Sequence, residues 1–310
     1  MKRYITIDGG TTNTRLYLVE NGKIIDTVRL SEGSNSKLSR KLLGESVKRA
    51  VRELLSGHSL SEGDVCRIIA SGMITSEFGL YKLDHTVAPA GVPELKSGSV
   101  EISLPEISSI PFVFICGVKT APKDPIETNM MRGEETELMG ILDGSGADSI
   151  YVLPGSHTKL IRVDECGRIL DFKTTLTGEM IAALSAHTLL STCIDLSAPL
   201  DTDALFSGYL FTEENGINES LIKTRTLKTL LSKSDGYVYS FFLGSILYSD
   251  VRAIMRMPES RVVIGGREEI RHSIATLLKR FSDKEVEELS SDAVAYSTPK
   301  GAIKIYEHTV

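Results

Sequence analysis

A chain of 310 residues, 41% apolar and 25% charged, is long enough for two ordinary domains and has the make-up of a water-soluble globular protein. Its net charge of −6, with basic residues scattered along the chain, points away from nucleic acid and anionic membrane surfaces as partners. Cys66, Cys116, Cys166 and Cys193 lie far apart with no C-x-x-C pair, which reads as reduced thiols in a cytoplasmic protein and excludes a cysteine metal site or a disulfide framework.

The opening MKRYITID reads as a strand rather than an export signal, and no apolar run has the length to span a bilayer. A turn follows, Asp8-Gly9-Gly10-Thr11-Thr12-Asn13, then an alternating strand, an Asn21-Gly22 turn suited to a type I′ hairpin, and a third strand. Asn35 or Ser36 can cap the next helix, whose apolar side carries Leu38, Leu42, Val47, Val51, Leu54 and Leu55. Strand-like runs come at Arg67–Ala70 and Pro111–Cys116, and a helix rich in acids opens at Gly133-Glu134-Glu135.

At Ile150 the opening pattern returns. ITIDGGTTNTRLYLVENGKIID from Ile5 and IYVLPGSHTKLIRVDECGRILD from Ile150 align without a gap. Gly10, Glu20, Gly22 and Asp26 meet Gly155, Glu165, Gly167 and Asp171, while Ile7 meets Val152 and Thr11 meets Ser156. The identities are few, yet the shared register and the paired glycine-hydroxyl turns favour an internal duplication. After the second copy, Thr177-Gly178-Glu179 opens a helix through Ile181, Leu184 and Leu189, and a strand over Arg261–Ile264 ends in Gly265-Gly266. The expected organisation is two α/β lobes, residues 1–145 and 146–310, meeting near the Gly- and Ser-rich stretch 143–149.

The paired turns carry the chemistry. Glycines let backbone N–H groups approach a phosphate closely, and threonine and serine hydroxyls add donors. Asp8, at a strand end, cannot help an anion directly but can hold Mg²⁺, which bridges phosphates. The second loop, Pro154-Gly155-Ser156-His157-Thr158-Lys159, has Leu153 where the first has Asp8, so it only donates. One such turn alone is an ordinary polar hairpin, but two at matched positions predict a nucleotide's phosphates clamped between lobes. Neither is a Walker or Rossmann loop, since each leads into a strand. Gly265-Gly266 then becomes the expected adenosine site.

These residues resemble the 2-keto-3-deoxygalactonokinase family of the sugar kinase and actin-like ATPase superfamily. The resemblance rests on Asp8–Arg15 (DGGTTNTR), Ser71-Gly72-Met73, Met131–Thr136 (MRGEET), Pro154–Lys159 (PGSHTK) and Thr177-Gly178-Glu179, with Gly244, Gly265 and Gly301 farther on. It implies a two-lobed, ribonuclease H-like α/β fold with a mixed sheet in each lobe. It also implies transfer of the ATP γ-phosphoryl group, with Mg²⁺, to the terminal hydroxyl of 2-dehydro-3-deoxy-D-galactonate. Gly9 departs from the family, which usually carries an aromatic residue there, and the chain has no tryptophan.

A phosphoryl acceptor needs its hydroxyl aimed in line, with a carboxylate nearby to orient it and accept its proton. Glu134 is the candidate, with Glu135 open, because related kinases place a Gly-Asp pair at a corresponding helix start. Asp8 is the metal residue. Gly10, Thr11, Thr12, Asn13, Gly155, Ser156, His157, Thr158, Gly265 and Gly266 are the nucleotide candidates. Arg15, Met73, Arg132 and Glu179 are the substrate candidates, Arg15 or Arg132 supplying the cation for a carboxylate. Lys159 reads as a charged strand edge. Kinase activity on another sugar or sugar acid, a non-catalytic nucleotide switch, and a homodimer all stay open.

Overall fold

In a computed structural model, the protein is described over residues 1–10, 13–31, 40–142, 144 and 148–309. Thr11 and Thr12, the helix-cap candidates Asn35 and Ser36 together with Leu38, and much of the 143–149 stretch lie outside the described residues. The first half of the chain runs β1 (Arg3–Gly9), β2 (Thr14–Glu20), β3 (Lys23–Leu30), α1 (Arg40–Gly57), β4 (Arg67–Gly72), β5 (Thr86–Val87), α2 (Val92–Gly98), β6 (Val100–Leu104), β7 (Ser108–Phe114), β8 (Val118–Lys119), β9 (Met130–Met131) and α3 (Glu134–Ile141). It continues through β10 (Ser149–Leu153), β11 (Thr158–Val163), β12 (Ile169–Thr175), α4 (Thr177–His187), α5 (Thr202–Asn215), α6 (Ile217–Thr229) and α7 (Asp235–Met255). It ends with β13 (Arg261–Ile264), α8 (Glu268–Phe281), β14 (Glu285–Glu288) and α9 (Ser291–Glu307).

The duplication is present in the sheets. One is ordered β3-β2-β1-β4-β7-β6 and the other β12-β11-β10-β13-β14, so the second repeats the first five positions of the first. β1 pairs parallel with β4 as β10 does with β13, and β4 with β7 as β13 does with β14. β1 and β2 are antiparallel neighbours, as are β2 and β3. Strands buried on both faces read as continuous apolar runs, which is why YITID and SIYVL carry β-branched residues with little alternation. Asn21 and Gly22 both take positive φ, 48° and 80°, as a type I′ turn requires, and Gly167 repeats the second at 76°.

The chain divides into two compact units. The first comprises Met1–Ala147, Val163–Asp171 and Ser291–Val310, and the second Asp148–Arg162 and Phe172–Ser290. The expected linear division at 145/146 therefore leaves out two additions to the first unit, a hairpin tip and the C-terminal helix. The reason is packing. Ile169 bridges Ala90, and α9 lies against α3 so closely that a Cβ on Gly301 would come within 1.9 Å of the Thr136 carbonyl oxygen.

In the first unit α1 buries Leu43, Val47, Ala50, Val51, Leu54 and Leu55, a helical stripe. Leu42, expected on that stripe, is exposed; one residue is a 100° turn, and Leu43 takes the inward position. The second unit is built around α7, whose Phe242, Leu243, Ile246 and Leu247 pack with Ile150, Val152, Val262 and Ile264 of the sheet and Ile274, Leu277 and Leu278 of α8. The α4 helix stops at His187, so Leu189 lies beyond its end and is exposed. Among the described residues no helix is long and apolar enough to cross a membrane.

Candidate active site

In the first unit three separated motifs meet backbone to backbone. A Cβ on Gly72 would lie 2.5 Å from the Gly9 carbonyl oxygen, and one on Gly9 would lie 2.7 Å from the Ile74 nitrogen. A Cβ on Gly133 would in turn lie 3.1 Å from Gly72 Cα. The unusual Gly9 thus fits the turn over Met73–Thr75, and an aromatic side chain there requires that turn to sit elsewhere. Met73, half-buried, contributes its carbonyl to the same turn, accepting from Ser76 N–H and Oγ–H. The first loop closes through Gly10 N–H donating to the Asn13 carbonyl at 2.9 Å.

Asp8 ends β1 opposite Arg15 of β2, and the Arg15 Nη1 lies 3.8 Å from Asp8 Oδ2. Burial pushes the Asp8 carboxyl up, Arg15 opposes this, and the Glu134 charge adds to it. Glu134 and Glu137 are three residues apart on α3 and share its less buried side, whereas Glu135, Leu138 and Met139 turn inward. Glu137 is pushed up to about 8 by burial first, then by Asp8 and Glu134, against the pull of Arg15. Three carboxyl groups thus act on one another around a single arginine.

That excess of negative charge suits a divalent cation. Among the described residues no group of three or more His, Cys, Asp or Glu is arranged to hold a metal by itself. Mg²⁺ takes one or two carboxylates and fills its octahedron with water and phosphate oxygens, and Asp8 with the carboxyls that act on it is a donor set of that kind.

Glu135 is fully buried, and both its oxygens accept from Gly133 N–H, at 2.9 and 2.8 Å. Burial and the Glu134 charge push it up to about 7, and the Gly133 bond resists. It braces the tight N-terminus of α3, where Gly133 takes φ 117°. Arg132 is similarly engaged. Its Nη1 donates to the Thr75 carbonyl and hydroxyl, both at 2.7 Å, and its Nη2 to the Leu83 carbonyl at 2.9 Å, with the His85 ring 3.2 Å away. Arg15, by contrast, keeps 42% of its side chain exposed.

The second unit gathers the other candidates. Gly178 packs so closely that a Cβ would lie 2.0 Å from the Gly155 carbonyl oxygen, and Glu179 N–H donates to the Ser156 carbonyl at 3.0 Å. A Cβ on Gly266 would lie 2.3 Å from the Pro154 carbonyl oxygen, while Gly265 N–H donates to Val152. The loop 154–159, the start of α4 and the end of β13 thus form one backbone-lined site. His157 Nε2 lies 3.0 Å from Glu179 Oε1, which pairs a nucleotide candidate with a substrate candidate. The Thr158 hydroxyl is buried and has no hydrogen-bond partner among the described residues. Lys159 is 3% exposed, so it is not a charged strand edge.

Glu137 is not among the residues that the sequence alone singles out. Its spacing from Glu134 was the available signal, because three residues keep two side chains on one helical face.

The chain belongs to the 2-keto-3-deoxy-galactonokinase family, whose model matches residues 8–297. It is 27% identical over 266 residues to the Rhizobium meliloti (strain 1021) protein DgoK1, assigned as a 2-dehydro-3-deoxygalactonokinase, covering 84% of this chain and 78% of that one. It is 28% identical over 258 residues to the 2-dehydro-3-deoxygalactonokinase of Escherichia coli (strain K12), covering 82% and 80%. The crystal structure of a Sinorhizobium meliloti protein assigned the same name superposes with a TM-score of 0.77 at 21% identity, covering 98% of this chain and 100% of that one. A ligand-bound xylulose kinase from Lactobacillus acidophilus shares the fold at a TM-score of 0.53 and 10% identity, covering 98% and 89%.

Proposed function

We propose that this chain transfers the γ-phosphoryl group of ATP to the terminal hydroxyl of 2-dehydro-3-deoxy-D-galactonate, giving the 6-phosphate in galactonate catabolism. The observation that carries this reading is the cluster of Asp8, Glu134 and Glu137 around Arg15, in a chain whose family match spans it. A protein that merely sensed nucleotide would need a carboxylate for the metal but no base for an acceptor hydroxyl, so the further acid Glu134 acting on Asp8 favours an enzyme.

Asp8 is the residue that would hold Mg²⁺, with Glu137 beside it. When bound, the ion supplies charge neutralisation on the phosphate oxygens. Glu134 orients the C6 hydroxyl and accepts its proton as the new P–O bond forms and ADP leaves. Positioning matters more here than base strength, because the transition state is loose. Arg15 reads the sugar-acid carboxylate, since the Nη groups of Arg132 are occupied within the first unit. Glu135 holds the start of α3, so its role is to keep Glu134 in place.

In the second unit, the backbone N–H groups of Gly155–Thr158 and the hydroxyls of Ser156 and Thr158 bind the nucleotide phosphates. Gly265 and Gly266, at the end of β13 and packed against Pro154 of the loop 154–159, present backbone to the adenosine. We place the activity in the cytoplasm, where ATP is supplied and the free thiols of Cys66 and Cys166, both exposed, would persist.

The test is a panel of sugar acids and their neutral lactone or alditol analogues, scored by coupled ADP release with Mg²⁺ present. The proposal expects 2-dehydro-3-deoxy-D-galactonate to give the highest kcat/KM. Neutral sugars outperforming every acid would rule it out.

A further inference from the structure

The second unit buries an acid in its main core helix. Asp250 of α7 is 1% exposed and sits beside Leu247, Val251 and Ile254, each fully buried. Its described partners are hydroxyls rather than cations. Thr177 Oγ1 donates to Asp250 Oδ2 at 2.6 Å, and Thr175 Oγ1 lies 2.9 Å from Thr177 Oγ1. Burial pushes the Asp250 carboxyl up, and the Thr177 and Thr175 hydroxyls draw it back. An apolar residue would be the cheaper occupant of such a position, because a buried carboxyl costs free energy that two hydroxyls only partly offset.

What the acid holds explains its presence. Thr177 is the first residue of α4 and is itself 3% exposed. Its two successors support the loop 154–159: Gly178 lies flush against the Gly155 carbonyl, and Glu179 N–H donates to the Ser156 carbonyl at 3.0 Å. Both contacts depend on where the first turn of α4 sits. The hydroxyl of Thr177 ties that turn to α7, the most buried helix of the unit.

We propose that Asp250 is a positioning residue for nucleotide binding: through Thr177 it fixes the start of α4, and so the shape of the loop that receives the phosphates. The inference rests on the reading of loop 154–159 as a phosphate site.

The experiment compares Asp250→Ala, Asp250→Asn, Thr177→Val and Ser156→Ala in the full chain. The readouts are steady-state kinetics, calorimetric binding of a non-hydrolysable ATP analogue and of adenosine, and thermal melting. Asp250→Ala is expected to raise KM and Kd for the ATP analogue about tenfold, as displaced binding groups do. The KM for sugar acid and the affinity for adenosine should hold. Asp250→Asn should recover most of the loss, because its amide oxygen still accepts from Thr177, and Thr177→Val should reproduce it. A fall in melting temperature with nucleotide affinity unchanged in Asp250→Ala, or in Thr177→Val if the former does not fold, would overturn the proposal and leave a core role only. If Ser156→Ala weakens the ATP analogue and Asp250→Ala does not, the brace fails while the phosphate loop stands. If neither weakens it, the phosphate-loop reading fails as well.

Discussion

The two copies of one strand pattern have been put to different uses. Each unit has the same five-strand order, and each carries a glycine-hydroxyl turn between its first two strands. In the first unit the turn follows Asp8, and α3 adds Glu134 and Glu137 around Arg15. In the second, Leu153 stands where Asp8 does, and the loop is surrounded by backbone amides, hydroxyls and glycines. On the proposed function, the contrast would give charge chemistry to the first unit and phosphate binding to the second. On that reading a duplicated scaffold divides labour through one residue, an aspartate in place of a leucine at a strand end, which would give only the first copy a carboxylate for a cation.

The contrast breaks most visibly at Asp8. Asp8→Asn keeps the strand and the turn but removes the charge, and kcat should fall by about 10³-fold or more, with circular dichroism unchanged. A well-folded Asp8→Asn protein with near-normal turnover would undo the division. On α3, Glu134→Gln should lower kcat by about 10²- to 10³-fold while ATP and sugar-acid binding persist, because the amide oxygen can still accept from Arg132 N–H as Glu134 Oε2 does while the base is lost. Glu135→Gln should act differently. It replaces an oxygen that accepts from Gly133, so melting temperature should fall more than kcat. The reverse pattern would move the base by one residue.

Arginine provides a sharper comparison within the first unit. Arg15→Ala should raise KM for the sugar acid about a hundredfold, the weight of a charge-assisted contact, and leave the neutral alditol almost unaffected. Arg132→Ala should instead destabilise the fold by about 2 kcal/mol, because it strands the Thr75 and Leu83 acceptors, and this is read by chemical denaturation. Sugar-acid KM rising in the Arg132 variant alone would exchange the two roles.

The smallest effect is a pH dependence. His85 is pushed down to about 4 from 6.5, by burial first and then by Arg132 and Lys119. The folded pKa lies below the unfolded one, so the unfolded chain takes up the proton more readily. This contribution is complete above pH 6.5 and is lost as pH falls toward 4. The His85 share should make stability at pH 5 lower than at pH 7.5 by about 1 kcal/mol, allowing for the partial exposure of the ring, and it runs against the raised carboxyls of Glu135 and Glu137, which favour the folded state at the lower pH. In His85→Gln that difference should shrink, as followed by denaturant titration at each pH.

Much of this was legible in the sequence because it depends on register. The spacing between Ile5 and Ile150, Asn21-Gly22 against Gly167, and the glycines of DGG, SGM and RGEE all report backbone geometry, which sequence carries locally. The direction of side chains was less legible. Glu134 and Glu135 are neighbours in sequence, yet a 100° turn sends one toward Asp8 and the other into the core. Arg132 looked as available as Arg15, because its partners Thr75, Leu83 and His85 lie about fifty residues away in the chain and no local pattern announces them. The placement of α9 on α3 depends on Gly140 and Gly301 facing each other, a contact that neither glycine shows by itself. Asp250 did leave a trace, a lone acid inside FFLGSILYSDV, where burial on all sides makes any charge conspicuous.

The most direct test of the account is the identity of the product. The purified chain, ATP and Mg²⁺ are incubated with 2-dehydro-3-deoxy-D-galactonate and followed by ³¹P NMR with proton coupling. The account predicts a phosphomonoester resonance split by the two protons of C6, growing in step with ADP and absent in Asp8→Asn. ADP formation with inorganic phosphate as the only other new phosphorus signal, or a phosphomonoester at another carbon, would contradict it.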